Sequence, residues 1–208
     1  MGYHRAGFEV VGVDIKPQPN FPFEFHQVDA IELMAADYPS DFDAGCFDAI
    51  HASPPCPYHS NLTGWGRHRQ VKTAEVDLIP ELRELLKATG LPYVIENVRK
   101  NALIEPVMVC GQGLGLKVRR HRFFESNVAL MGSPCFHPGP PVIVVRGSIG
   151  RRIFDPRRKA TTPTLEEARE IMGMPNGTAL ECANAIPPAY TELIGHQLLQ
   201  HIKAKAVA

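Results

Sequence analysis

The chain has 208 residues, 22 Lys and Arg against 22 Asp and Glu, and a hydrophobic fraction of 44%. That is one ordinary domain, or one domain with a small appendage, with enough chain for a sizeable core. No run of about 18 apolar residues occurs, so no membrane span is expected. The start, Met1 to Val11, lacks the apolar core of a signal peptide, and position 6 is Ala rather than the Ser or Thr of a myristoylation signal. A soluble, cytoplasmic protein is expected.

Phe8–Val13 and Phe25–Val28 read as short strands joined by the Pro-rich link at Lys16–Pro19. Ala30–Ala36 has helical character and ends in the breaker Asp37–Ser40. Phe47–His51 reads as a strand running into the turn Pro54-Pro55-Cys56-Pro57, and Gly64-Trp65-Gly66-Arg67 follows in a loop. Leu78, Ile79, Leu82, Leu85 and Leu86 recur at helical spacing, with Pro80 in the first turn and Gly90 as the stop. Pro92–Ile95 is a buried strand that ends at Glu96-Asn97. From 127 to 162 the pattern degrades into a loop-rich insertion in which only Val142–Val145 reads as a strand. Thr164–Glu167 is a capping box opening a helix through Met172, and a last helix runs from about Pro188 to Ile202 with Leu193, Ile194, Leu198, Leu199 and Ile202 as its buried stripe.

Alternation of strands and helices predicts an α/β fold: a mostly parallel sheet with helices on both faces and chemistry beyond the carboxyl ends of its strands. Asp14, Asp29, the Pro-Pro-Cys turn and Glu96-Asn97 all fall at such ends, which predicts one shared site. An acid closing a buried apolar strand, as Glu96 does, costs free energy unless it is paired or reactive. Arg120 and Arg122 are two apart, so on an extended chain they point the same way.

The five cysteines are odd in number and irregularly spaced, which suits a reducing compartment. Cys46, Cys110 and Cys182 read as small buried hydrophobes. Cys135-x-His137 could be half a zinc site, but no second pair at ligand spacing is evident and no metal is expected. The zero net charge conceals an uneven distribution. Residues 24–48 hold no Lys or Arg, whereas basic residues gather at 67–72, 117–122 and 146–159. Converging on one face, those clusters would bind phosphates.

Taken in order, these motifs resemble the cytosine-C5 DNA methyltransferases. Val11-Gly12-Val13-Asp14 resembles the strand ending in an acid for the cofactor ribose, and Val28-Asp29-Ala30 the next strand end, near the adenine. Ser53-Pro54-Pro55-Cys56 resembles the Pro-Cys nucleophile motif, Val94–Val98 the Glu-Asn-Val motif, and Arg120-His121-Arg122 the paired-arginine motif. Thr164–Pro175 and Asn184–Pro188 resemble the last two motifs, which support the recognition region and complete the cofactor pocket.

The resemblance implies a Rossmann-like S-adenosylmethionine-dependent sheet. Residues 1–126 would form the catalytic and cofactor-binding part, 127–162 a short target-recognition insertion, and 163–208 the helices completing the first part. It implies Cys56 as nucleophile, Glu96 acting at cytosine N3, and Arg120 and Arg122 holding the base and favouring the thiolate, whose free pKa is about 8.5. Asp14, Asp29, Pro54 and Asn184 would meet S-adenosylmethionine. Trp65, Arg67, Arg69, Arg151 and Arg152 would meet double-stranded DNA around a flipped base. No membrane and no obligate protein partner are implied, and the setting is a bacterial or phage-infected cell.

The chain departs from the family in three places. Met1–Phe8 resembles the end of the helix that follows the family's first strand and glycine loop, so a start upstream of Met1 is expected. The insertion is short, which predicts a short target sequence. Pro57 stands where the family usually has glutamine. The same residues also fit an RNA cytosine methylase or a non-catalytic DNA-binding remnant.

Overall fold

The computed structural model describes residues 1–35, 46–55, 77–137, 139, 142–145, 149–150, 152–156 and 160–207. Cys56, Trp65, Arg67, Arg69 and Arg151 lie outside the described residues, as do most of the basic residues at 67–72 and 146–159. The protein is a mixed α/β fold with open sheets. Among the described residues no helix is long and apolar enough to cross a membrane.

A short helix, α1 (Gly2–Ala6), precedes strands β1 (Val11–Asp14) and β2 (Glu24–Gln27), which pair in parallel. Helix α2 (Ala30–Ala35), strand β3 (Ile50–Ala52), helix α3 (Ile79–Ala88) and strand β4 (Tyr93–Asn97) follow. Pro80 is accommodated in the first turn of α3, and Gly90, at φ 69°, follows its last turn. These elements lie within a few residues of the expected bounds.

Two strands were not separately foreseen: β5 (Val107–Cys110) and β6 (His121–Ser126). They correct the expectation of one mostly parallel sheet. The main sheet has the order β3-β4-β6-β5, with β3 and β4 parallel but β6 antiparallel to both its neighbours. The reason is connectivity. Residues 111–120 join β5 to β6 with nothing longer than a 3-10 turn, and a parallel pair would need a crossover of a dozen or more residues. The β1–β2 pair is hydrogen-bonded separately from this sheet.

Every residue of β4 is buried, as a strand covered on both faces should be. Val94 packs with Val109, Phe124, Tyr190, Ile194 and Leu198, on the side of the terminal helix α6 (Pro188–Val207). Tyr93 and Ile95 pack with Ile79, Leu82 and Leu86 of α3 on the other side. The period-two alternation of strand side chains therefore decides which layer each residue enters. The expected stripe of α6 is present, centred on Ile194 and Leu198, and α1 docks against the same helix.

The insertion holds more structure than expected. Strands β7 (Val142–Ile143), β8 (Phe154–Asp155) and β9 (Ala160–Thr161) form a small sheet in the order β7-β9-β8. It joins the rest of the chain where the Arg119 amide donates to the Ile143 carbonyl at 3.0 Å. Helix α4 (Leu165–Met172) begins with the expected capping box, Thr164 with Glu167. A further short helix, α5 (Ala179–Asn184), carries a second such box, Thr178 with Glu181. Val118, Val145, Ala168, Met172 and Cys182 form the core beneath α4 and α5.

Candidate active site

Because β3 and β4 are parallel and in register at Ala52 and Ile95, their carboxyl ends lie side by side. Ser53 follows one end and Glu96 lies at the other. Alternation places Glu96 on the α6 side with Val94, and cross-strand pairing sets it opposite Phe124 of β6. Arg122, two residues before Phe124, shares that face.

Arg122 Nε lies 2.8 Å from Glu96 Oε1, and the two side chains are 11% and 8% exposed. The contact is close but lacks an aligned hydrogen bond: Oε1 is buried and has no hydrogen-bond partner. Ser53 hydrogen-bonds the same carboxyl group. Burial pushes the Glu96 pKa above the ordinary carboxylate range, although Arg122, Arg120 and Ser53 all pull it down. Burial and the neighbouring charges thus act on Glu96 in opposite senses, with burial the larger.

Behind it runs a chain of polar groups. His51 Nε2 is 2.9 Å from Ser53 Oγ, and His51 Nδ1 is 2.7 Å from the Tyr3 hydroxyl. Burial lowers the His51 pKa to about 4, which keeps the ring neutral. Burial, and then the Glu96 charge, raise the Tyr3 phenol far above its usual value. One assignment is consistent along the chain: Tyr3 donates to Nδ1, Nε2–H donates to Ser53 Oγ, and the Ser53 hydroxyl donates to Glu96.

Arg120 is buried, but its guanidinium turns to the backbone. It donates to the Val145 carbonyl at 2.9 Å and the Ala183 carbonyl at 2.7 Å, while its own carbonyl accepts from the Tyr190 hydroxyl at 2.7 Å. It thus fastens the start of β6 to the insertion, α5 and α6, and adds positive charge near Glu96. These bonds hold its guanidinium against backbone carbonyls.

Asp14 and Asp29 stand together at the ends of β1 and β2, where the Val28 amide donates to the Asp14 carbonyl at 3.2 Å. The Asp14 carboxylate accepts from the Lys16 amide at 2.8 Å and from Gln18 Nε2 at 3.0 Å. Asp29 accepts from the Ile31 amide at 2.8 Å in the first turn of α2. Asn20, between β1 and β2, donates at 3.2 Å to Glu181 of α5, the helix that ends at Asn184. Pro54 is half-buried beside Ser53. Arg152 is exposed and lies 3.5 Å from Glu167, at the capping box of α4. Val98, Arg99, Lys100, Asn101 and Phe123 line an open hollow of about 420 Å³ just past Asn97.

The structure thus unites Glu96, Arg122 and the Ser53-Pro54 approach to Cys56, and separately gathers Asp14 with Asp29. Cys46, expected buried, is exposed. Tyr3, His51 and Ser53 were not foreseen as a network, although His51 and Ser53 lie two apart in the strand-to-turn stretch before Cys56. Cys110, His121, Cys135 and His137 also converge, which sequence spacing alone did not show. The chain matches no family model and no curated protein.

Proposed function

We propose that the protein transfers a methyl group from S-adenosylmethionine to C5 of a flipped cytosine in DNA, through a covalent bond between Cys56 and C6. The observation that carries this reading is the buried Glu96, held against Arg122 and hydrogen-bonded by Ser53, three residues before Cys56 in the chain. In its protonated form Glu96 would donate to N3 and offset the charge that builds on the ring when a thiolate adds to C6. C5 then becomes nucleophilic. Once it carries the methyl group, it loses its proton and the Cys56 thiolate is expelled. The cationic Arg122 favours the thiolate over the thiol.

The residues at the ends of β1 and β2 fit the expected cofactor. They present two adjacent acids, and Ile15, 61% exposed beside Asp14, is an apolar surface suited to a flat base. Asp14 and Asp29 would hold the nucleoside part, with Pro54 and Asn184 completing the pocket. S-adenosylmethionine bound there supplies the electrophilic methyl group. Arg99 and Lys100, lining the hollow past Asn97, are cations that would meet phosphates.

The test is transfer of isotopically labelled methyl from S-adenosylmethionine to duplex DNA and, in parallel, to RNA of the same sequence. Label on C5 of deoxycytidine, abolished by Cys56→Ser, is the expected result. Label on RNA alone would change the substrate class, and no label on DNA that the protein binds would favour a non-catalytic role.

A further inference from the structure

The face of β6 opposite Arg122 carries the second feature. Cys110 ends β5, and the antiparallel register sets it directly across from His121 of β6. Their side chains therefore leave the sheet on the same side. The segment after Gly132 folds back over that end of the hairpin and adds Cys135 and His137. Their four ligand atoms lie within 4.8 Å of one another.

The separations are those of a coordination sphere. His137 Nε2 is 3.5 Å from both Cys110 Sγ and Cys135 Sγ, and His121 Nε2 is 3.6 Å from Cys135 Sγ. The two imidazole nitrogens are 3.1 Å apart. Bonds of about 2.3 Å to sulfur and about 2.0–2.1 Å to nitrogen, arranged tetrahedrally, give edges of about 3.5 Å between S and N and about 3.3 Å between N and N. The observed contacts match those edges. A two-iron cluster would divide its cysteines and histidines between two metals and spread them further apart.

The backbone is also built for this approach. The Ser133 amide donates to the Met108 carbonyl at 3.1 Å, and Ser133 Oγ accepts from the Cys110 amide at 2.7 Å. A Cβ on Gly132 would stand 2.3 Å from the Met108 carbonyl oxygen, and one on Gly113 would stand 1.7 Å from that of Pro134. Only glycine permits the two segments to lie so close.

We propose that Cys110, His121, Cys135 and His137 form a closed Cys2His2 site for one zinc ion. Four protein ligands leave no open position, so the ion is structural. It clamps residues 132–137 to the β5–β6 hairpin. His121 lies between Arg120 and Arg122, so the clamp also fixes the strand that presents Arg122 to Glu96. Both thiolates bind deprotonated, and their protons are released to solvent as the ion enters.

The test uses the full chain, purified under reducing conditions without chelator. Elemental analysis should find about one zinc per chain, as a closed mononuclear site requires. Replacement by Co2+ should give the intense visible bands and thiolate charge transfer of a tetrahedral S2N2 site. Cys135→Ser, at an exposed position, should remove the stoichiometric zinc and alter the Co2+ spectrum, whereas Cys46→Ser should leave both unchanged. Chelation should lower the thermal midpoint of the wild type and not that of Cys135→Ser. The proposal is overturned if the reduced wild-type chain takes up neither ion, or if Cys135→Ser keeps the wild-type Co2+ spectrum. It does not depend on methyl transfer, so failure of that activity leaves it standing.

Discussion

Two buried arginine–glutamate pairs lie on opposite faces of the same sheet, and they are built differently. On the α3 face, Arg83 meets Glu125 through two hydrogen bonds, 2.6 and 2.8 Å long. Glu125 also accepts from the Ile104 amide, and Arg83 donates to the Ala102 carbonyl. Both carboxylate oxygens accept, and Nε and Nη2 of the guanidinium both donate, the kind of bonding under which a buried ion pair is tolerated. On the α6 face, Arg122 touches Glu96 without an aligned hydrogen bond, and burial raises the Glu96 pKa. A saturated pair is structural. An unsaturated one, at the strand end beside Ser53, keeps bonding capacity for something else.

Neutralising each acid should separate the two roles. Glu96→Gln keeps the shape and removes the proton; methyl transfer should fall about 100- to 10,000-fold, the usual span for a lost general acid. Its urea midpoint should stay near that of the wild type. Next in size, Arg83→Met strands the Glu125 charge and should cost about 3–5 kcal/mol of stability in urea denaturation, as for other broken buried pairs. Methyl transfer by the fraction that remains folded should change little. If Glu96→Gln were the destabilised variant and Arg83→Met the inactive one, the contrast between the faces would be inverted.

The pH dependence sharpens the same contrast. Folded Glu96 holds its proton more firmly than the unfolded chain does, so its contribution is full at low pH and is lost as pH rises through its raised pKa. Glu96→Gln should abolish that slope. His51 acts in the opposite sense. Its pKa falls from 6.5 to about 4 on folding, so its contribution is present above 6.5 and is lost as pH drops towards 4. Thermal midpoints across this range should decline on acidification in the wild type, and less steeply in His51→Gln. Arg152→Ala should have the smallest effect, within about 1 kcal/mol, because its ion pair with Glu167 is exposed.

Much of the α6-face site was legible along the chain because its parts follow local rules. Glu96 announces itself as an acid closing an apolar strand, and a two-residue step puts Arg120 and Arg122 on one side. What local rules did not give was the division of labour between those arginines. That depends on where the carbonyls of Val145 and Ala183 lie, far away in sequence. The metal cluster was hidden for a similar reason. Cys110 and His121 have no ligand spacing until the register of the β5–β6 hairpin places them opposite each other. The antiparallel direction of β6 was equally silent, because a strand's direction in a sheet leaves no mark on its residue pattern.

We propose that Cys56, three residues beyond Ser53 in the chain, is the nucleophile that acts with Glu96. It is tested most directly with duplex DNA containing 5-fluorocytosine, in which the C5 substituent cannot leave and the enzyme stays attached. The account predicts a denaturation-resistant protein–DNA adduct that requires S-adenosylmethionine, maps to Cys56 and vanishes in Cys56→Ser. Absence of any adduct from DNA that the wild-type protein binds, with cofactor present, would contradict it.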